Sequence, residues 1–141
     1  MAPLDIDFSK LTVLVVEDQD YVRSLITQSL KRLGVGSILE EADGAGALRV
    51  LRNLLPDFVL CDIHMDPVDG LELLSQVRNG EEGVLDPHVP LVFLTSNSER
   101  GTVLAAIENE VDGYLIKPVS LNELKTKIIS VLSKRKVYRW K

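Results

Sequence analysis

Five side chains capable of chemistry each stand at the end of a short apolar run. Glu17 and Asp18 follow Leu11-Thr12-Val13-Leu14-Val15-Val16, and Asp62 follows Phe58-Val59-Leu60-Cys61. Thr95 follows Leu91-Val92-Phe93-Leu94, and Lys117 follows Tyr114-Leu115-Ile116. A carboxylate can act as a nucleophile and form an aspartyl-phosphate. Grouped carboxylates offer oxygen ligands, which select hard cations, and one or two of them with several waters suit Mg2+. An ammonium can pair with a phosphoryl oxygen, and a hydroxyl can donate a hydrogen bond to one. The chemistry within reach of this set is phosphoryl transfer to a carboxylate, if the fold brings the set together.

Bringing it together has a cost. Two like charges about 4 Å apart repel by roughly 4 kcal/mol at an effective dielectric of about 20, while a folded domain has only about 5–15 kcal/mol of stability. Glu17, Asp18 and Asp62 in one place therefore call for a compensating cation. Neither His64 nor His88 has a zinc-like spacing. Read singly, Glu17 and Asp18 could simply favour the dipole of a following helix, and Thr95 could be structural.

The elements that must position these residues are legible from periodicity. Val22, Leu25, Ile26, Leu30 and Leu33 mark one face of a helix, and Gly34 is its stop. Ser37-Ile38-Leu39-Glu40-Glu41 is a shorter, more polar strand, as expected at a sheet edge. Asp43 is a candidate N-cap for a helix carrying Leu48, Leu51 and Leu55, which Pro56 ends. After the loop at 63–70, a helix over 71–78 turns Leu74 and Val77 inward. A long polar loop spans 79–90, and a helix over 98–109 carries Val103, Leu104 and Ile107. Ser120 and Glu123 form a capping box for a last helix burying Leu121, Leu124, Ile128 and Leu132.

This alternation of strand and helix predicts an α/β fold: three layers, doubly wound, (βα)5, around a five-stranded parallel sheet. Continuous apolar strands belong inside and the polar second strand at an edge. The flavodoxin-like order 2-1-3-4-5 satisfies both, and its switch point between strands 1 and 3 places Asp18 beside Asp62. Ligands bind at that carboxyl edge.

The acidic pair, Asp62, Thr95 and Lys117-Pro118, each on its own strand end, resemble the receiver domain of two-component response regulators, over about residues 11–132. The resemblance implies that Asp62 is the phosphoacceptor, helped by Lys117 and Thr95. It implies that Asp18 and Asp62 bind Mg2+ directly, with Mn2+ as a substitute. Glu17 then acts through water, and the backbone carbonyl of His64 is a further ligand. It implies a cis Lys117–Pro118 bond and a switch in which Thr95 moves toward the phosphate and Tyr114 turns inward behind it. Ser96 is small, as the family prefers. The resting role of Lys117 is a salt bridge to Asp62. Two features depart from the family: Asp66 stands where a proline is common, with Pro67 next, and the 79–90 loop is a few residues longer than usual.

Bulk properties agree with one domain of 141 residues. Residues 1–10 read as an N-terminal extension, 11–133 as the receiver domain and 134–141 as a basic tail. Hydrophobic residues are 45%, charged residues 26% and the formal net charge is −5, a balance that disfavours nucleic-acid binding. The basic tail reads foremost as cations at a helix C-terminus. Cys61 is the only cysteine, consistent with a reduced cytoplasmic setting. Neither a signal peptide nor a run of roughly 20 apolar residues is present, so no membrane partner is expected.

The expected function is a stand-alone phosphorylatable switch, monomer or weak dimer. A sensor histidine kinase or phosphotransfer protein supplies the phosphoryl group, and a downstream protein reads the altered surface. It is a phosphoacceptor that catalyses its own phosphorylation and dephosphorylation, not an enzyme in the wider sense. A receiver domain from a longer regulator is the alternative. A haloacid-dehalogenase-type phosphatase also uses a strand-end Asp, but needs a second Asp where this chain has His64. A degenerate receiver conflicts with the intact acids, Thr95 and Lys117.

Overall fold

Side chains alternate across a strand, so a strand buried on both faces must be apolar at every position. Three strands here meet that demand except at their ends, where Thr12 is half-buried and Asp62 and Thr95 are buried polar residues. In β1 (Thr12–Val16), Val13 and Val15 join one core cluster and Leu14 and Val16 the other. In β3 (Phe58–Asp62), Phe58 and Leu60 oppose Val59 and Cys61. In β4 (Leu91–Thr95), Val92 and Leu94 oppose Leu91 and Phe93. The other two strands, β2 (Ser37–Glu41) and β5 (Gly113–Ile116), are less buried. The five parallel strands run in the order β2-β1-β3-β4-β5, with the two less buried strands at the edges. The structure, a computed structural model, describes residues 6–65, 68–96 and 110–135.

Among the described residues, four helices cover the sheet. On one face α1 (Asp20–Leu33) sends in Ile26 and Leu30, and α4 (Leu121–Arg135) sends in Leu124, Ile128, Val131 and Leu132. On the other, α2 (Gly44–Asn53) contributes Ala47, Leu48 and Leu51, and α3 (Gly70–Arg78) contributes Leu73, Leu74 and Val77. This is the expected three-layer arrangement. The expected helix over 98–109, Asp66 and Pro67 lie outside the described residues, as does the tail from 136 onward.

Local signals fix the helix ends. Gly34 closes α1 at φ 89°, a left-handed conformation that glycine adopts without steric cost. The Asp43 side chain accepts the Gly46 N–H at 2.7 Å, and Asp69 accepts the Glu72 N–H at 2.8 Å. Ser120 and Glu123 exchange hydrogen bonds at 3.2 and 3.1 Å, a complete capping box.

Three expected core residues differ. Leu55 lies beyond α2, which stops at Asn53, and is exposed. Leu25 is exposed although its period fits the apolar face, whereas Ile26 and Leu30 on that face are buried. Leu121 is only partly buried because it stands in the first turn of α4. At the N-terminus, Ile6 and Phe8 pack against the core cluster beneath α1 and α4. At the other end, Lys134 and Arg135 belong to α4. Arg135 is tied down, its Nε lying 2.8 Å from Asp112 Oδ1.

Candidate functional site

The topology brings the strand ends together. Pairing Val16 with Cys61 sets Glu17, the next residue, level with Asp62. Asp62 pairs with Leu94, and Thr95 with Ile116, so Thr95 and Lys117 follow at the same edge. The Lys117 N–H donates to the Thr95 carbonyl at 2.9 Å. Behind Asp62, the Gly70 N–H donates to the Ile63 carbonyl at 2.7 Å. A Cβ on Gly70 would lie 2.7 Å from the Asp62 carbonyl oxygen, so only glycine lets α3 start this close to the end of β3.

Glu17, Asp18 and Asp62 each bring a carboxylate oxygen within 4.8 Å of the others. Their surroundings differ. Glu17 is fully buried, Asp62 is 5% exposed, and Asp18 is exposed. The Lys117 ammonium stands 2.9 Å from Glu17 Oε1 and 3.1 Å from Asp62 Oδ1. The salt bridge expected between Lys117 and Asp62 is present. The ammonium is also shared with Glu17, because the parallel register brings that buried acid to the same level. Glu17 Oε2 also accepts the Gln19 N–H at 3.1 Å, so this acid does stabilise the start of α1 as well.

The electrostatics follow from this geometry. Burial opposes the charge on Lys117, but the Glu17 hydrogen bond and the negative charges of Asp62 and Glu17 outweigh it, holding the ammonium above the ordinary lysine range. Partial desolvation, then the neighbouring Glu17 carboxyl, raise Asp18 above the ordinary carboxylate range against the pull of Lys117. Burial and the adjacent Asp62 push the Cys61 thiol well up, so it is no thiolate nucleophile. Three carboxylates against one ammonium leave a formal charge of −2. An oxygen-only cluster with that excess fits Mg2+.

Thr95 is buried, and its hydroxyl donates to the Ser96 carbonyl at 3.0 Å. Tyr114 is half-exposed on β5. The His64 N–H lies 3.3 Å from Asp62 Oδ1, and its side chain is exposed. The Lys117–Pro118 peptide bond is cis.

The sequence matches the family described as Response regulator receiver domain over residues 13–129. The chain belongs to this family. Among curated relatives, chemotaxis protein CheY-3 of Vibrio cholerae is 30% identical over 124 residues, which are 88% of this chain and 93% of that protein. Chemotaxis protein CheY of Pseudomonas aeruginosa is 31% identical, again over 88% of this chain and 98% of the relative. Among solved structures, a putative response regulator from Chloroflexus aurantiacus superposes with a TM-score of 0.78 at 29% identity, covering 86% of this chain and 97% of that one. The receiver domain of a sensor histidine kinase from Pseudomonas aeruginosa, with a magnesium ion coordinated in its active-site cleft, gives 0.73 at 26% identity, covering 92% and 96%.

Two features of this receiver domain were not read from its sequence. Arg23 donates to the Glu17 carbonyl at 2.6 Å, holding the acidic turn from α1. Arg78 and Asp112 meet at 3.0 Å near the opposite sheet edge, with both side chains largely buried. The Asp20–Arg23 spacing of i, i+3 is a local helix signal. The Arg23–Glu17 contact spans six residues but crosses from α1 back to the turn after β1, which no helix spacing signals, and the Arg78–Asp112 contact joins segments 34 residues apart. Among the described residues no helix is long and apolar enough to cross a membrane.

Proposed function

We propose that Asp62 accepts a phosphoryl group from a phosphohistidine of a sensor histidine kinase or phosphotransfer protein. The observation that carries this reading is the shared ammonium. Lys117 spans Glu17 and Asp62, and Asp18 completes a cluster with an unbalanced charge of −2. Membership of the receiver family makes the domain a phosphorylation-dependent switch.

A carboxylate oxygen of Asp62 attacks the phosphorus in line. The P–N bond to the donor imidazole breaks, and the nitrogen keeps its electron pair. Asp18, Asp62 and the His64 carbonyl, with Glu17 acting through water, would hold Mg2+, or Mn2+ in its place, which would supply positive charge against the phosphoryl oxygens. Lys117 is charged at neutral pH and turns from Asp62 to a phosphoryl oxygen. The Thr95 hydroxyl leaves the Ser96 carbonyl for the phosphoryl group, and Tyr114 follows inward from its half-exposed position. The altered surface around Thr95, Tyr114 and α4 then meets a downstream protein. The domain catalyses its own phosphorylation and dephosphorylation and works in the cytoplasm, where its donors are.

Phosphotransfer profiling against histidine kinases and phosphotransfer proteins tests the reading. One donor should label the wild type in seconds and leave Asp62→Asn unlabelled. Equal labelling of both would overturn Asp62 as the acceptor.

A further inference from the structure

Asp18 is exposed, so packing does not hold its carboxylate near Asp62. Its place depends on the peptide plane that precedes it. That plane contains the Glu17 carbonyl and the Asp18 nitrogen, and it is rigid. Whatever fixes the Glu17 carbonyl therefore aims Asp18. The Glu17 N–H is already spent on the Glu41 carbonyl at 3.0 Å. Its carbonyl is taken by Arg23, whose Nη1 donates at 2.6 Å.

Arg23 is itself braced. Its Nη2 donates to Asp20 Oδ1 at 2.6 Å, its Nε lies 3.4 Å from Glu40 Oε1 on β2, and its side chain is only 18% exposed. The Arg23 N–H donates to the Gln19 carbonyl, and the Thr27 hydroxyl, which has one proton to give, lies 2.9 Å from the Arg23 carbonyl and 3.2 Å from Glu40 Oε1. One planar fork thus ties the acidic turn to α1 and to β2. A lysine ammonium is a point charge and cannot reproduce a fork.

We propose that Arg23 is a positioning residue that sets Mg2+ affinity by orienting the Glu17–Asp18 peptide. This rests on the metal reading above. Outer partners of metal ligands typically change affinity about 10–100-fold when removed. The sign separates this role from simple charge. Removing a cation beside an acidic site strengthens Mg2+ binding through Coulomb attraction alone, whereas loss of positioning weakens it.

The test is calorimetric titration of Mg2+ into wild type, Arg23→Ala and Arg23→Lys. Metal-free melts and the Asp18 and Gln19 amide NMR signals are recorded alongside. Positioning predicts a Kd raised about tenfold or more in Arg23→Ala, and a rise also in Arg23→Lys, where the charge is kept. The two amides should shift in the metal-free protein. If Arg23→Ala does not fold, Arg23→Lys decides. An unchanged Kd in Arg23→Lys, or a lowered one in Arg23→Ala, overturns the proposal. Wild type that binds no Mg2+ overturns the metal reading and this proposal with it, whereas equal Kd values in all three proteins overturn only the role of Arg23.

Discussion

Lys117 and Glu17, 100 positions apart in the chain, meet at 2.9 Å through the only hydrogen-bonded ion pair that Glu17 makes among the described residues. Glu17 has no exposed surface, so its charge depends on that ammonium. Lys117→Met strands a buried carboxylate. Removing one partner of a buried pair costs about 3–5 kcal/mol; because Lys117 is 27% exposed, a loss of about 2–3 kcal/mol is expected after allowing for screening. Urea unfolding measures it, and Glu17→Gln combined with Lys117→Met should recover part of the loss, since Asp62 still lacks its ammonium. No recovery in the double variant would mean that the cost has another source.

With Asp18 as a ligand, as proposed, Mg2+ stabilisation should depend on pH. Its native pKa lies above the ordinary value, so the native state holds the proton more tightly than the unfolded chain. That contribution is fully present below the ordinary carboxylate pKa and is lost as pH rises through the raised one. Mg2+ needs the carboxylate, so its stabilising effect should grow over that same rise. Melts with saturating Mg2+ and with chelator, across the acidic range, give the difference. A difference that does not vary with pH would exclude Asp18 as a ligand.

Thr95→Ala should still accept phosphate, because the nucleophile and its charged neighbours are untouched. It should transmit the change poorly. A hydrogen bond to a charged acceptor is worth about 1.5–3 kcal/mol, enough to shift a two-state ratio by about tenfold or more. NMR of Tyr114 with and without beryllofluoride reports this. A full wild-type shift in Thr95→Ala would break the proposed coupling.

Arg78 makes a second buried network. Its side chain is 8% exposed and donates to the carbonyls of Pro87, Val89 and Glu110 besides pairing with Asp112. Asp112 also accepts the Leu91 N–H at 2.8 Å, at the start of β4. Arg78→Ala should cost about 3–5 kcal/mol in urea unfolding. Its Mg2+ affinity should stay within error of wild type, since the cluster lies at the far end of β4 from Thr95. A loss under about 1 kcal/mol would reduce it to a surface pair.

The strands and the edge where their ends meet are legible because two-sided burial forces unbroken apolar runs in β1, β3 and β4. The caps at Asp43, Ser120 and Gly34 are legible because they act within three or four residues. What escaped is tertiary. The sharing of Lys117 between two acids and the Arg78–Asp112 network depend on distances across the fold, and the reach of Arg23 to the Glu17 carbonyl depends on how the turn between β1 and α1 folds back. Periodicity also overstates burial: Leu25 keeps the helix period but is exposed, and Leu55 falls outside the helix.

The most direct measurement is intact-mass spectrometry after treatment with acetyl phosphate. Wild type with Mg2+ should gain one phosphoryl group, and the adduct should be absent with chelator and absent in Asp62→Asn. An adduct that persists in Asp62→Asn, or that forms equally without divalent metal, would contradict Asp62 as a metal-assisted phosphoacceptor.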